Sequence, residues 1–138
     1  MKRFKFLDHT GDLAMEVYGQ NLTDLFENAG QALFSVITDP SEVKDKVERE
    51  VDLTYDELGT LMVDWLTELL YLHDVEGLLF GSFKVGHLGA GQFLAKAWGE
   101  FFKEEKHLIR TEVKAVTFHQ LEVTKQGGTW RARVILDL

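Results

Sequence analysis

The residues best equipped for chemistry gather near the amino terminus, in Asp8-His9-Thr10-Gly11-Asp12. Two carboxylates offer hard oxygen ligands, Thr10 a hydroxyl and His9 a ring nitrogen. Oxygen-rich sets suit calcium or magnesium, whereas zinc is held mostly by nitrogen and sulfur. The chain has no cysteine, so thiolate ligation, thiol catalysis and disulfides are all excluded. The spacing is not that of an EF-hand loop, which needs regularly placed acidic side chains and a closing Glu. The plainer reading is a turn, in which Asp and Thr side chains bond nearby N–H groups and Gly11 supplies a permissive backbone. Both readings stay open on these residues alone. Asp64 and Glu68 form a second acidic pair at helical spacing, which a solvated helix face explains better than a site.

Elements must position these groups. Leu13, Met15 and Val17 alternate with Asp12, Ala14, Glu16 and Tyr18, which predicts a strand with one face on a core. Phe4 and Phe6 share a face of a short strand just before it. Leu22, Leu25, Phe26, Ala29, Leu33, Phe34 and Ile37 recur at three and four, predicting an amphipathic helix. Its start is placed at Asn21-Leu22-Thr23 with Thr23 as cap, and Asp39-Pro40 ends it. Val43, Val47, Val51 and Leu53 predict a charged edge strand. Tyr55 to His73 is the longest helical signal, with Leu58, Leu61, Met62, Trp65, Leu66, Leu69 and Leu72 on a broad apolar face and Asp56 and Glu57 in the first turn.

Beyond Gly77 the pattern becomes aromatic and glycine-punctuated, predicting a hairpin over residues 78–100. Its glycines do not form a phosphate loop, because no Gly-Lys-Ser/Thr follows. Residues 101–110 read as a loop or a single helical turn. Residues 112–125 read as a strand with Val113, Ala115, Thr117, His119, Leu121 and Val123 on one register. Gln126-Gly127-Gly128 is a hairpin turn. In the last strand Trp130, Ala132, Val134 and Leu136 oppose Arg131, Arg133, Ile135 and Asp137. Read by itself, Asp137 is an exposed residue at a strand end.

The 138 residues carry a net charge of −8, with ten Phe and three Trp to fill a core. That argues for one domain, and against independent strong nucleic-acid binding, since phosphate contacts need Lys and Arg. No membrane span or signal peptide is read, and a cytoplasmic location is expected.

Four blocks carry a resemblance. Phe6-Leu7-Asp8-His9-Thr10-Gly11-Asp12 is similar to the opening motif of the archease family. Residues 61–71 resemble that family's central helix, Lys114-Ala115-Val116-Thr117-Phe118-His119 its Lys-Ala-Val-Thr-Tyr-His strand, and Val134-Ile135-Leu136-Asp137-Leu138 its acidic carboxyl end. Order and length agree across essentially the whole chain. Gly11 stands where Ala is usual, Leu13-Ala14 where Ile-Gly is common, and Phe118 where Tyr is usual, so a phenolic hydroxyl is absent there.

The resemblance implies an α+β fold, two main helices packed on antiparallel β-sheet in a single domain. It implies a helper rather than an enzyme, acting on the tRNA-splicing RNA ligase by promoting its guanylylation and multiple turnover. It implies a bound divalent cation, calcium with magnesium or manganese as alternatives, held by Asp12 and Asp137, with a backbone oxygen from Leu138. Lys114 matches a lysine the family needs for activity. Asp8, His9 and His119 are the remaining candidates, the two histidines as groups that orient the carboxylates. Two alternatives belong to other classes. One is a small magnesium-dependent phosphate-ester hydrolase using Asp8, Asp12 and Asp137 with His9 or His119 as base. The other is a general chaperone-like binder with an exposed apolar patch.

Overall fold

The computed structural model describes residues 2–9 and 11–138, with His9 described by its backbone alone. The described residues form β1 (Phe4–His9), β2 (Asp12–Gly19), α1 (Leu22–Ile37), β3 (Val47–Thr54), α2 (Leu58–Glu76), β4 (Leu78–Gly89), β5 (Gln92–Phe101), β6 (Ala115–Gln126) and β7 (Thr129–Asp137). All strand pairs are antiparallel. They make two sheets, ordered β1-β2-β7-β6 and β3-β5-β4, so this is a single α+β domain whose sheet is divided in two. The charged strand β3 lies at an edge, as its sequence predicts.

The helices join the sheets. α1 packs on β2 of the first sheet and β4 of the second, while α2 packs on β6 and β3. Between them Phe26, Phe34, Trp65, Phe80 and Phe93 are fully buried. The Trp65 indole N–H donates to the Phe26 carbonyl at 2.9 Å, which satisfies the one polar group that this ring carries into the core. No helix among the described residues is long and apolar enough to cross a membrane.

Several boundaries differ from the sequence expectation. α1 is capped by Asn21, not Thr23. The Asn21 Oδ1 accepts from the Asp24 N–H and from the Thr23 hydroxyl, both at 2.8 Å. Thr23 already lies within the helix, so its backbone cannot take the extended cap conformation. Asn21→Ala is expected to lower stability by about 1 kcal/mol in urea denaturation, with Thr23→Ala costing less. α2 starts at Leu58 rather than Tyr55 and runs on to Glu76, so Asp56 and Glu57 precede it. Its end is set by Gly77, whose φ of 74° places the N–H on the His73 carbonyl. β3 starts at Val47, because Val43 closes a 3-10 turn at Pro40–Glu42.

β6 departs most. It starts at Ala115 rather than residue 112, and its pairing with β7 shifts between Thr117, opposite Ile135, and Glu122, opposite Arg133. Residues 118–121 bulge out there, with Gln120 at φ 52°. The bulge changes which face the strand presents. Ala115 and Thr117 point away from the helices, whereas Val123, opposite buried Ala132, points inward. A single register through residues 113–123 therefore does not hold, and His119 lies in the unpaired bulge.

The segment 102–114 links the two sheets and holds one hydrogen-bonded turn, His107 N–H to Lys103 carbonyl at 2.8 Å. It folds over Glu100, which is only 2% exposed. The Glu100 carboxylate accepts from the Lys106 ammonium at 2.6 Å and from the Lys44 N–H at 2.8 Å. The His107 Nδ1 accepts from the Lys103 N–H, which leaves Nε2 to carry the proton, 3.4 Å from Glu100. Burial pushes the Glu100 carboxyl up, but Lys106, the Lys44 N–H and His107 together outweigh it and hold it at about 2.

Candidate metal site at the end of the four-stranded sheet

β1 and β2 pair antiparallel, and Gly11, just before β2, has φ 73°. The pairing sets Asp8 opposite Leu13 and His9 opposite Asp12. Residues directly opposed share a face, so Asp8 lies on the Leu13 side of the sheet and Asp12 on the other. β7 returns antiparallel to β2 and sets Asp137 directly opposite Asp12. Ala115 of β6 is opposite Asp137. One row thus crosses four strands: His9, Asp12, Asp137, Ala115. This register divides the residues that sequence alone grouped around Asp12, and the set Asp8, Asp12 and Asp137 is not gathered on one face.

Asp12 and Asp137 are both half-buried. Directly opposed side chains have Cβ atoms about 4.5–5.5 Å apart, and like charges there are destabilising. A divalent cation between the carboxylates would reverse that cost, and an all-oxygen pair suits a hard ion. Among the described residues no group of three or more His, Asp or Glu side chains gathers to hold a metal. The pair fits an ion that keeps several positions for water, backbone oxygen or a partner's ligand. The Thr10 hydroxyl and the His9 ring, also considered as donors, lie outside what the structure describes.

Lys114 is tied to this row through its backbone, its N–H donating to the Asp137 carbonyl at 2.8 Å. Its side chain lines a cleft of about 240 Å³ with Thr67, Leu70, Tyr71 and Asp74 of α2. Neither Tyr71 nor Asp74 stood among the candidates the sequence offered, because that cleft requires the meeting of α2 with β6. Leu138 follows Asp137 and packs partly buried against the core. His119 is exposed in the β6 bulge, its N–H donating to the Thr117 hydroxyl at 3.3 Å. Among the described residues it makes no hydrogen bond to either aspartate. Asp64 and Glu68 are half-buried on α2 and form no ion pair among the described residues.

Comparison with known proteins agrees with this architecture. The model of the Archease protein family (MTH1598/TM1083) matches residues 4–138. The chain is 47% identical to Protein archease of Methanothermobacter thermautotrophicus over the whole of both chains. It is 43% identical to Protein archease of Methanosarcina mazei, covering 99% of this chain and 97% of that one. The solution structure of Methanobacterium thermoautotrophicum protein 1598 superposes with a TM-score of 0.88 at 45% identity, covering 100% of both chains. A crystal structure from Thermotoga maritima, described as an archease and possible chaperone, shares the fold at a TM-score of 0.66 and 20% identity, covering 97% of this chain and 96% of that one. The chain belongs to the archease family, and its role is accordingly regulatory rather than catalytic.

Proposed function

We propose that this protein is a metal-binding cofactor of the tRNA-splicing RNA ligase in the cytoplasm, stimulating the ligase's guanylylation and its multiple turnover. Family membership supports the partner, and one observation supports the site: Asp12 faces Asp137 in register, with Lys114 bonded to the same residue. A divalent ion, calcium with magnesium or manganese as alternatives, supplies positive charge and open coordination positions when bound there. Asp12 and Asp137 hold and orient it, and the backbone of Leu138 adds an oxygen. Lys114 offers a point charge to a phosphate or carboxylate of the partner. The net charge of −8 draws the protein to a basic surface and mainly raises the encounter rate, an effect that salt weakens.

The test is ligation of RNA carrying 2′,3′-cyclic-phosphate and 5′-hydroxyl ends, with limiting ligase, GTP and manganese. The proposal expects several products per ligase only when the protein is added. Unchanged turnover with a competent ligase would overturn it. Lys114→Ala is expected to lower the stimulation about tenfold, roughly 1.4 kcal/mol, while leaving metal binding intact. Equal loss of metal binding in that variant would show that Lys114 acts on the ion site instead.

A further inference from the structure

Charge changes sign along the outward face of the four-stranded sheet. One end holds Asp12 and Asp137. Toward the other end the outward positions are Lys5 on β1, Glu16 and Tyr18 on β2, Arg131 and Arg133 on β7, and Glu122 on β6. Arg3 continues the β1 row, its carbonyl accepting the Tyr18 N–H at 2.8 Å. Lys2 joins Lys5, Tyr18 and Thr129 around a cleft of about 300 Å³. Lys2, Arg3, Lys5, Arg131 and Arg133 therefore meet only two carboxylates here, in a chain whose overall charge is −8.

Both carboxylates are already engaged. Arg131 donates to Glu16 at 2.7 Å and to Glu122 at 3.3 Å, and the Lys5 ammonium lies 3.3 Å from Glu16. Lys2, Arg3 and Arg133 form no ion pair among the described residues. Arg133 donates from Nη2 to the Gln120 amide oxygen at 3.1 Å. Gln120 is the bulge residue at φ 52°, a conformation uncommon for a non-glycine and often kept at functional positions. With Leu121, Glu122 and Arg133 it lines a second cleft of about 340 Å³ on the same face. Phe118, 60% exposed, stands in the same bulge.

We propose that this face binds the sugar–phosphate backbone of single-stranded RNA, with Arg3 and Arg133 contacting phosphates and Tyr18 offering a stacking surface. Cations set around an aromatic ring serve both halves of a nucleotide, whereas an acidic peptide needs only the cations. From Arg131 to Asp137 is six residues, about 20 Å along an extended strand, so bound RNA would run toward the aspartate pair. The ligase-cofactor reading explains why RNA comes near this face, and the binding itself does not depend on it.

The test is fluorescence anisotropy of a labelled 12-nucleotide RNA with the whole protein, without ligase, across a salt series. Binding is expected on the order of 10–100 μM near physiological salt, weakening with a log–log slope of about −2 for two to three phosphate contacts. The double variant Arg3→Glu/Arg133→Glu should bind at least about tenfold more weakly with a shallower slope, and melt like the parent. Absence of RNA binding at low salt, or unchanged binding in the double variant, would overturn the proposal. So would competition by polyglutamate as strong as that by RNA, which would assign the face to an acidic polypeptide. The same variant is assayed for stimulation of ligase guanylylation in the absence of RNA. Retained stimulation with lost RNA binding supports the proposal, and RNA binding by a parent that fails to stimulate overturns the ligase reading alone.

Discussion

Asp12→Asn and Asp137→Asn are each expected to abolish stimulation of the ligase while the fold survives. Each removes one of two carboxylates that oppose each other across β2 and β7. Loss of one charged ligand should weaken divalent-ion binding by about 10- to 100-fold. Stability should move the other way. With the ion chelated, relief of directly opposed like charges raises stability by up to about 1 kcal/mol in either variant. Added calcium should then raise the Tm of the parent and leave both variants nearly unmoved, because only binding to the folded state stabilises it. Calcium-dependent melting reads the site without any partner. Variants that respond to calcium like the parent would remove the aspartates from the ion site, and variants that still stimulate would remove the ion from the mechanism.

Glu100→Ala should be the most damaging substitution outside the apolar core. It leaves the Lys44 N–H without its acceptor and strips the Lys106 ammonium and the His107 ring of their shared partner. Breaking a buried pair in this way costs about 3 kcal/mol at the lower end of the usual range, since Lys106 keeps some contact with water. For a domain of this size that corresponds to a Tm lower by roughly 10 °C. The pH dependence has a fixed sign. The folded carboxyl titrates near 2 against an ordinary 4.5, so its contribution is fully present above pH 4.5 and fades as pH falls toward 2. The Tm difference between parent and variant should therefore shrink through that window. A difference independent of pH would mean that lost packing, not lost charge, dominates. Lys114 lies at the end of the same connection, so loosening it should also lower stimulation.

The alternation of Leu13, Met15 and Val17 against Asp12, Glu16 and Tyr18 was legible because a half-buried strand imposes period two. The same holds for β7, where Asp137 falls outward with Arg131 and Arg133. What no local pattern contains is that β2 and β7, more than a hundred residues apart, lie side by side in the register that opposes Asp12 to Asp137. Resemblance to archeases named the two residues, and strand pairing gives the physical reason they belong together. The β6 bulge was hidden because its residues continue an alternating pattern by composition, and only the pairing with β7 reveals where the count slips. Glu100 occupies an outward position on β5 and reads as solvent-exposed. Its burial depends on the segment 102–114 folding back over it, which charged residues such as Glu104, Glu105 and Lys106 do not announce.

Covalent guanylate transfer to the cognate RNA ligase, followed with labelled GTP and manganese and with this protein present in catalytic amounts, tests the cofactor role and its aspartate pair together. A clear rise in the rate of labelling is expected with the parent protein and none with Asp12→Asn or Asp137→Asn. An unchanged rate with a ligase shown to be competent, or a rise that both variants reproduce, would contradict it.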